Sequence, residues 1–85
     1  MASIQQKIAE YAHQACRING AVRLKKIEEY FSKEKEAVYP AMHSKKLDSI
    51  FSHGIDSNGI FYYLNDKYKN MKERAVLYEI KKIYK

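Results

Sequence analysis

The stretch Ile55-Asp56-Ser57-Asn58-Gly59-Ile60-Phe61-Tyr62-Tyr63-Leu64 decides the fold of this chain. Asp56 to Gly59 is dense in turn formers, and Asn-Gly supplies the positive φ that a tight hairpin turn needs. Ile60 to Leu64 is β-branched and aromatic, the composition of a strand that would pair back on residues near Ile55. A competing pattern runs through the same residues. Phe61, Leu64, Tyr68, Met71, Ala75 and Tyr78 recur at alternating spacings of three and four, and neither Gly nor Pro interrupts Ile60 to Lys85, as one long helix would require. The turn favours the hairpin, with the long helix as the alternative.

Upstream, three helices are expected. Ser3 and Gln6 form a capping box, and Ile4, Ile8, Tyr11, Ala12, Ala15 and Ile18 fall on one helical face. Asn19-Gly20 stops this helix, because Gly takes the left-handed cap conformation without a Cβ clash, so it spans about Ile4 to Ile18. Leu24, Ile27, Tyr30 and Phe31 give a second helix over about Ala21 to Ser32, and Lys33-Glu34-Lys35-Glu36 reads as a frayed end or loop. Pro40 disfavours helix at Tyr39 and suits the first turn of a new one. Leu47, Ile50 and Phe51 then place a third helix within about Ala41 to Ser52, ended by His53-Gly54. Downstream, Asn70 and Glu73 are positioned to cap a last helix whose apolar face is Val76, Leu77, Ile80, Ile83 and Tyr84.

Charge is the most informative quantity for function. Sixteen Lys and Arg against ten Asp and Glu give +6 on 85 residues, an excess that attracts polyanions. From Asn65 onward seven basic side chains face Asp66, Glu73 and Glu79. At 100° per residue Arg74, Tyr78, Lys81 and Lys85 align within about 60° opposite the apolar face, with Lys82 beside them. Cations at this density neutralise phosphates, and a tyrosine among them can stack on a base. The expected nucleic-acid contacts are therefore Arg74, Lys81, Lys82 and Lys85 with phosphates and Tyr78 or Tyr62 with bases. Arg17, Arg23, Lys45, Lys46, Lys67 and Lys69 are the flanking cations. The plainer reading is a solvated face whose lysines complement the helix dipole.

Catalysis has little support, with a metal-independent ribonuclease using His and Lys as the remote alternative. His13 and Cys16 are three residues apart, but no orienting third group or oxyanion site is signalled. The three histidines are scattered, no His/Cys spacing suits zinc, and the three glycines all sit at element ends. The expectation is a non-enzyme with no metal and no cofactor. A lone cysteine, no apolar leader and no run long enough to span a bilayer point to the cytoplasm, of a host cell if the chain is viral, and to no membrane partner. A chain this short buries a thin core, so a homo-oligomer is a further possibility.

Element order resembles a winged helix-turn-helix: two helices, a recognition helix offering His43, Ser44, Lys45, Lys46, Asp48 and Ser49, then a wing, although the helices are spaced more loosely than that motif normally has. The Lys-, Tyr- and Ile-rich, Gly- and Pro-poor composition, as in Asn65-Asp66-Lys67-Tyr68-Lys69-Asn70-Met71-Lys72, is similar to that of small accessory proteins of T4-like bacteriophages. That resemblance implies a host-takeover or counter-defence protein and assigns no site residues. The fold expected is mainly α, one domain over 1–85 with a compact bundle of about four helices and a short winged-helix-like β-hairpin near residues 54–64. The function expected is binding of nucleic acid, RNA ahead of DNA. The alternative is an interaction module that inhibits a host or defence enzyme by covering its active or nucleic-acid-binding surface, the partner then being a protein with an acidic or nucleic-acid-binding surface.

Overall fold

A computed structural model describes residues 2–85. Along the chain run α1 (Ile4–Asn19), β1 (Val22–Arg23), α2 (Leu24–Tyr30), α3 (Lys35–Met42), β2 (Phe51–Asp56), β3 (Gly59–Leu64), α4 (Asp66–Lys69) and α5 (Glu73–Ile83). Single 3-10 turns at Ser32–Glu34 and Lys45–Leu47 lead into α3 and toward β2. The described residues are mainly helical, with a three-stranded antiparallel sheet in the order β1-β3-β2. No helix is long and apolar enough to cross a membrane.

The hairpin forms, and the long helix does not. Phe51 pairs with Leu64, Ile55 with Ile60 and Asp56 with Gly59, leaving Ser57-Asn58 as the tip. Within the turn only Gly59 takes positive φ, at 106°, while Asp56 Oδ1 accepts from the Asn58 N–H at 2.8 Å and shapes the turn from its side. The strand alternation sorts the faces. Val22, Phe51, Tyr62 and Leu64 enter the core, while Arg23, Gly54, Phe61 and Tyr63 lie on the outer face. Gly54 lets the Phe61 ring cross it: a Cβ there would stand 2.7 Å from Phe61 Cζ. Asn65 ends β3 and clamps the hairpin base. Its amide donates to the carbonyls of Ser49 at 2.8 Å and Asp48 at 3.2 Å, and its Oδ1 accepts from Ser52.

α1 follows its sequence signals. Ser3 Oγ accepts from the Gln6 N–H at 3.1 Å, and Gly20 closes the helix with φ 84° and a 2.7 Å bond from its N–H to the Cys16 carbonyl. Gln6's side chain donates to Glu10 instead of returning to Ser3, so only half of the capping box is made. Ile8, Ala9, Ala12 and Cys16 of α1 meet Ile27 of α2, Val38, Ala41 and Met42 of α3, and Val76 and Ile80 of α5 in one core.

Four expectations between residues 21 and 73 are corrected. The second helix begins at Leu24, because Val22 is drawn into pairing with Tyr62. The third helix is Lys35–Met42, starting inside the polar Lys33–Glu36 run and passing through Pro40. Pro40 removes one helical hydrogen bond, but it sits exposed near the end of a short helix whose Val38, Ala41 and Met42 bury completely or nearly so. Ile50 and Phe51, read as a helical face, instead carry the chain through the core into β2. Finally, Lys72 is the N-cap of α5 and offers no side-chain bond, since the Asn70 amide turns back to the Asp66 carbonyl.

Candidate nucleic-acid interface

α5 is the most polarised element of the chain. Val76 and Ile80 are fully buried, and Ile83 and Tyr84 pack partly against the core. On the far side Arg74, Tyr78, Lys81, Lys82 and Lys85 are exposed. Tyr78 keeps 66% of its surface in solvent, which is too much for a packing residue and enough to offer a ring face. Two shallow grooves run along this side. One of about 480 Å³ is lined by Glu73, Arg74, Leu77, Tyr78 and Lys81. The other, of about 270 Å³, is lined by Tyr78, Lys81, Lys82 and Lys85. They share Tyr78 and Lys81, so the ring stands in the middle of one continuous basic strip about 17 Å long at 1.5 Å per residue.

Among the described residues none of the α5 cations Arg74, Lys81 and Lys82, nor Lys85 just beyond the helix, is paired with a side-chain carboxylate. Among the described residues the one ion pair is Arg23–Asp56, at 2.7 Å. The surplus charge is also unevenly placed. Over α2 and α3 with their connections, Lys25, Lys26, Lys33 and Lys35 are offset by Glu28, Glu29, Glu34 and Glu36. The hairpin tip carries only Asp56, already held by Arg23. Most of the +6 therefore lies beyond Asn65, as the sequence indicated.

Three expected contact residues are spoken for elsewhere. Arg17 turns inward: its Nε donates to His13 Nε2 at 2.6 Å and its Nη2 to the Met71 carbonyl at 2.5 Å, tying α1 to the segment before α5. Arg23 forks onto both Asp56 oxygens at 2.7 and 2.8 Å, reaches the Gly59 carbonyl and lies over the Phe61 ring, so it fastens the hairpin to β1. Tyr62 is 1% exposed and hydrogen-bonds His43 through its hydroxyl at 2.8 Å, which removes it as a stacking platform. Burial first, with Tyr39 and Glu28 after it, pushes the Tyr62 phenol well above its ordinary range. Lys45 and Lys46 are exposed on the 3-10 turn after α3, and Lys67 and Lys69 on α4. Lys46 and Lys67 cap aromatic rings, with Nζ 5.3 Å from the Tyr84 centroid and 5.4 Å from that of Tyr68.

A second surface was not foreseen. Tyr39 and His43 of α3 stack at 4.1 Å, and the His43 ring stands 4.6 Å from that of His53 on β2. Beyond them Ile55 is 76% exposed on the same sheet face. This patch of α3 and hairpin is aromatic and holds no Lys or Arg. The histidines seemed scattered because antiparallel pairing, which sequence spacing does not show, brings His53 beside Tyr62 and His43. Among the described residues no three His, Cys, Asp or Glu side chains are grouped to hold a metal ion. Cys16 is buried and donates to the Tyr62 carbonyl at 3.6 Å, and burial pushes its thiol up to about 12. Compared with protein-family models, curated proteins and solved structures, the chain shows no significant match.

Proposed function

We propose that this chain is a nucleic-acid-binding domain on a winged helix-turn-helix frame, and that it holds a single-stranded polyanion, RNA ahead of DNA, on the outward face of α5. The frame is read from the order α1-β1-α2-α3-β2-β3 with the sheet β1-β3-β2, and from the short Phe31–Glu34 link between α2 and α3. With α2 ending at Tyr30 and α3 starting at Lys35, the link is shorter than the sequence spacing suggested, which supports the motif. In such frames the second helix of the motif reads the major groove, supported by phosphate contacts at its flanks. Here that unit has as many carboxylates as cations, which disfavours duplex DNA docked through α3.

The observation that carries the reading is the exposed strip of Arg74, Tyr78, Lys81, Lys82 and Lys85, with its cations free of carboxylate pairing among the described residues. The strip offers point charges for phosphates and one ring face for an unstacked base. The protein acts in the cytoplasm, of the host cell where the chain is viral. Salt titration tests this. Four neutralised phosphates on a single strand give a slope near −3 in log affinity against log salt, or roughly a 50-fold loss between 50 and 200 mM. Substituting Lys81 and Lys85 with alanine flattens the slope by about 1.4. Binding that ignores salt removes the case.

The Tyr39–His43–His53–Ile55 patch favours a second reading, an interaction module that covers the surface of a host or defence enzyme, as the phage-like composition implies. Interfaces are anchored by desolvated aromatic and aliphatic side chains, and this patch supplies them without basic charge. A protein partner that survives nuclease digestion and is lost with Tyr39→Ala and Ile55→Ala, but kept with Lys81→Ala, supports that role. The opposite pattern of losses rejects it.

A further inference from the structure

The junction of α3 with the hairpin gathers two imidazoles and two phenols. His43 is half-buried at the C-cap of α3. Its Nε2 meets the Tyr62 hydroxyl of β3 at 2.8 Å, and Tyr39, one turn back, stacks on its ring at 4.1 Å. The His53 ring of β2 stands edge-on to it, 4.6 Å away at an interplanar angle of 66°. From these contacts we infer that His43 and His53 form an acid-sensitive latch, which locks the end of α3 to the hairpin while both rings are neutral and opens when they are protonated. The latch is independent of both functional readings above, since it joins two elements whatever they bind.

Hydrogen-bond satisfaction defines the closed state. Tyr62 is 1% exposed, and His43 is the only partner of its hydroxyl among the described residues. Burial keeps the Tyr62 phenol protonated, and a buried hydroxyl proton needs an acceptor. Tyr62 therefore donates to Nε2, and the single proton of neutral His43 sits on Nδ1. A second proton on His43 must go to Nε2. The ring then becomes a donor at that position, and the Tyr62 proton is left without an acceptor in a buried site. Orphaned buried donors are costly, so the bond tying α3 to β3 is fully satisfied only while His43 is neutral.

His53 adds repulsion. Two unit charges at the 4.6 Å ring separation disfavour one another about fivefold even at the dielectric of water. The other groups facing His43 are Tyr39 on α3 itself, Tyr62 on β3, and Asp48 after the Lys45–Leu47 turn, while Glu28 of α2 acts on the Tyr62 side. Burial first and His53 second hold His43 below its ordinary pKa, and Asp48 pulls weakly the other way. The closed latch thus binds fewer protons than the open one. It is favoured in full above about pH 6.5 and loses ground as the pH falls below that. Opening is local, because Arg23 and Asp56 still fasten the hairpin to β1. Tyr39 and Ile55 then no longer share one rigid, neutral surface.

The test follows the imidazole Cε1–H signals and the amide hydrogen exchange of the full chain from about pH 7.5 to about pH 5, in the native protein, His53→Gln, His43→Gln and Tyr62→Phe. The His43 midpoint should rise by about 0.7 in pH in His53→Gln, which is the fivefold coupling expressed as a midpoint. It should rise in Tyr62→Phe as well, since the donor that favours the neutral ring is gone. Corrected for intrinsic rates, exchange in β2 and at the end of α3 should speed up about fivefold or more on acidification relative to Ala12 and Cys16 of α1. His43→Gln, which puts a neutral amide in place of the ring, should abolish that acceleration. A His43 midpoint indifferent to both substitutions overturns the proposal. A midpoint that moves while exchange does not leaves a titrating pair without a latch, and overturns it too. Acceleration that is equal in α1 marks global unfolding, and acceleration that survives in His43→Gln has another source; either result overturns the latch. Should His43→Gln fail to fold, His53→Gln alters only an exposed side chain, and its midpoint and exchange decide the matter.

Discussion

Replacing Arg17 with methionine separates a structural cation from a binding one. The substitution keeps most of the aliphatic stem but deletes the guanidinium, which leaves His13 Nε2 and the Met71 carbonyl without their donor. His13 is fully buried, so no water replaces the lost bond on that side. Removing one partner of a buried hydrogen bond costs about 1–3 kcal/mol, and Met71 is only half-buried, so the pair together should cost about 2–4 kcal/mol. For a domain of this size that is a fall in melting temperature of roughly 10–25 °C. Urea denaturation followed by circular dichroism, with a thermal melt as a check, measures it. Affinity for single-stranded RNA, taken well below the new melting point, should stay unchanged. A loss below about 0.5 kcal/mol would place Arg17 among ordinary surface residues and refute this account of it. Weakened RNA binding at unchanged stability would return Arg17 to the contact set.

Two further perturbations test the frame. His13 is held below its ordinary pKa by burial first and by Arg17 second, while Glu73 and Glu10 pull weakly the other way. Its folded pKa lies below the unfolded one, so the unfolded chain takes up the proton first. Stability should therefore be flat above about pH 6.5 and fall on acidification, by at most about 1.4 kcal/mol per pH unit from this residue. His43, lowered by burial and by His53, adds in the same direction. A urea midpoint that rises between pH 7.5 and 5.5 would contradict this. Gly54→Ala puts a methyl against Phe61 and should cost about 1–3 kcal/mol. In a Phe61→Ala background the same change should cost little, and equal costs in both backgrounds would rule out the ring contact.

Local signals in the sequence were enough for the ends of α1, the hairpin turn and the faces of α5. Ser3 and Gly20 bound α1, the Asp56–Gly59 turn forms the hairpin, and the period of α5 separates Val76 and Ile80 from Arg74, Tyr78 and Lys81. They were insufficient where short elements are fixed by distant partners. α3 has only eight residues, starts in a polar run and contains a proline, and its helix is held by burial of Val38, Ala41 and Met42. The same limit applies to the expected contacts that turn toward the protein. Arg17 is satisfied by a carbonyl 54 residues away, Arg23 by a carboxylate 33 away and Tyr62 by a histidine 19 away. Composition identifies such groups as cations or rings; only the fold decides whether they face a ligand or the protein itself.

Amide and side-chain shift mapping with a hydroxyl-ended single-stranded RNA is the most direct trial of the proposal. The largest shifts should fall on Arg74, Tyr78, Lys81 and Lys85, and Lys33, Lys35 and Tyr39 on the α3 side should stay still. Shifts concentrated on α3 and the hairpin, with α5 silent, would show that the wrong face of this domain has been assigned to the nucleic acid.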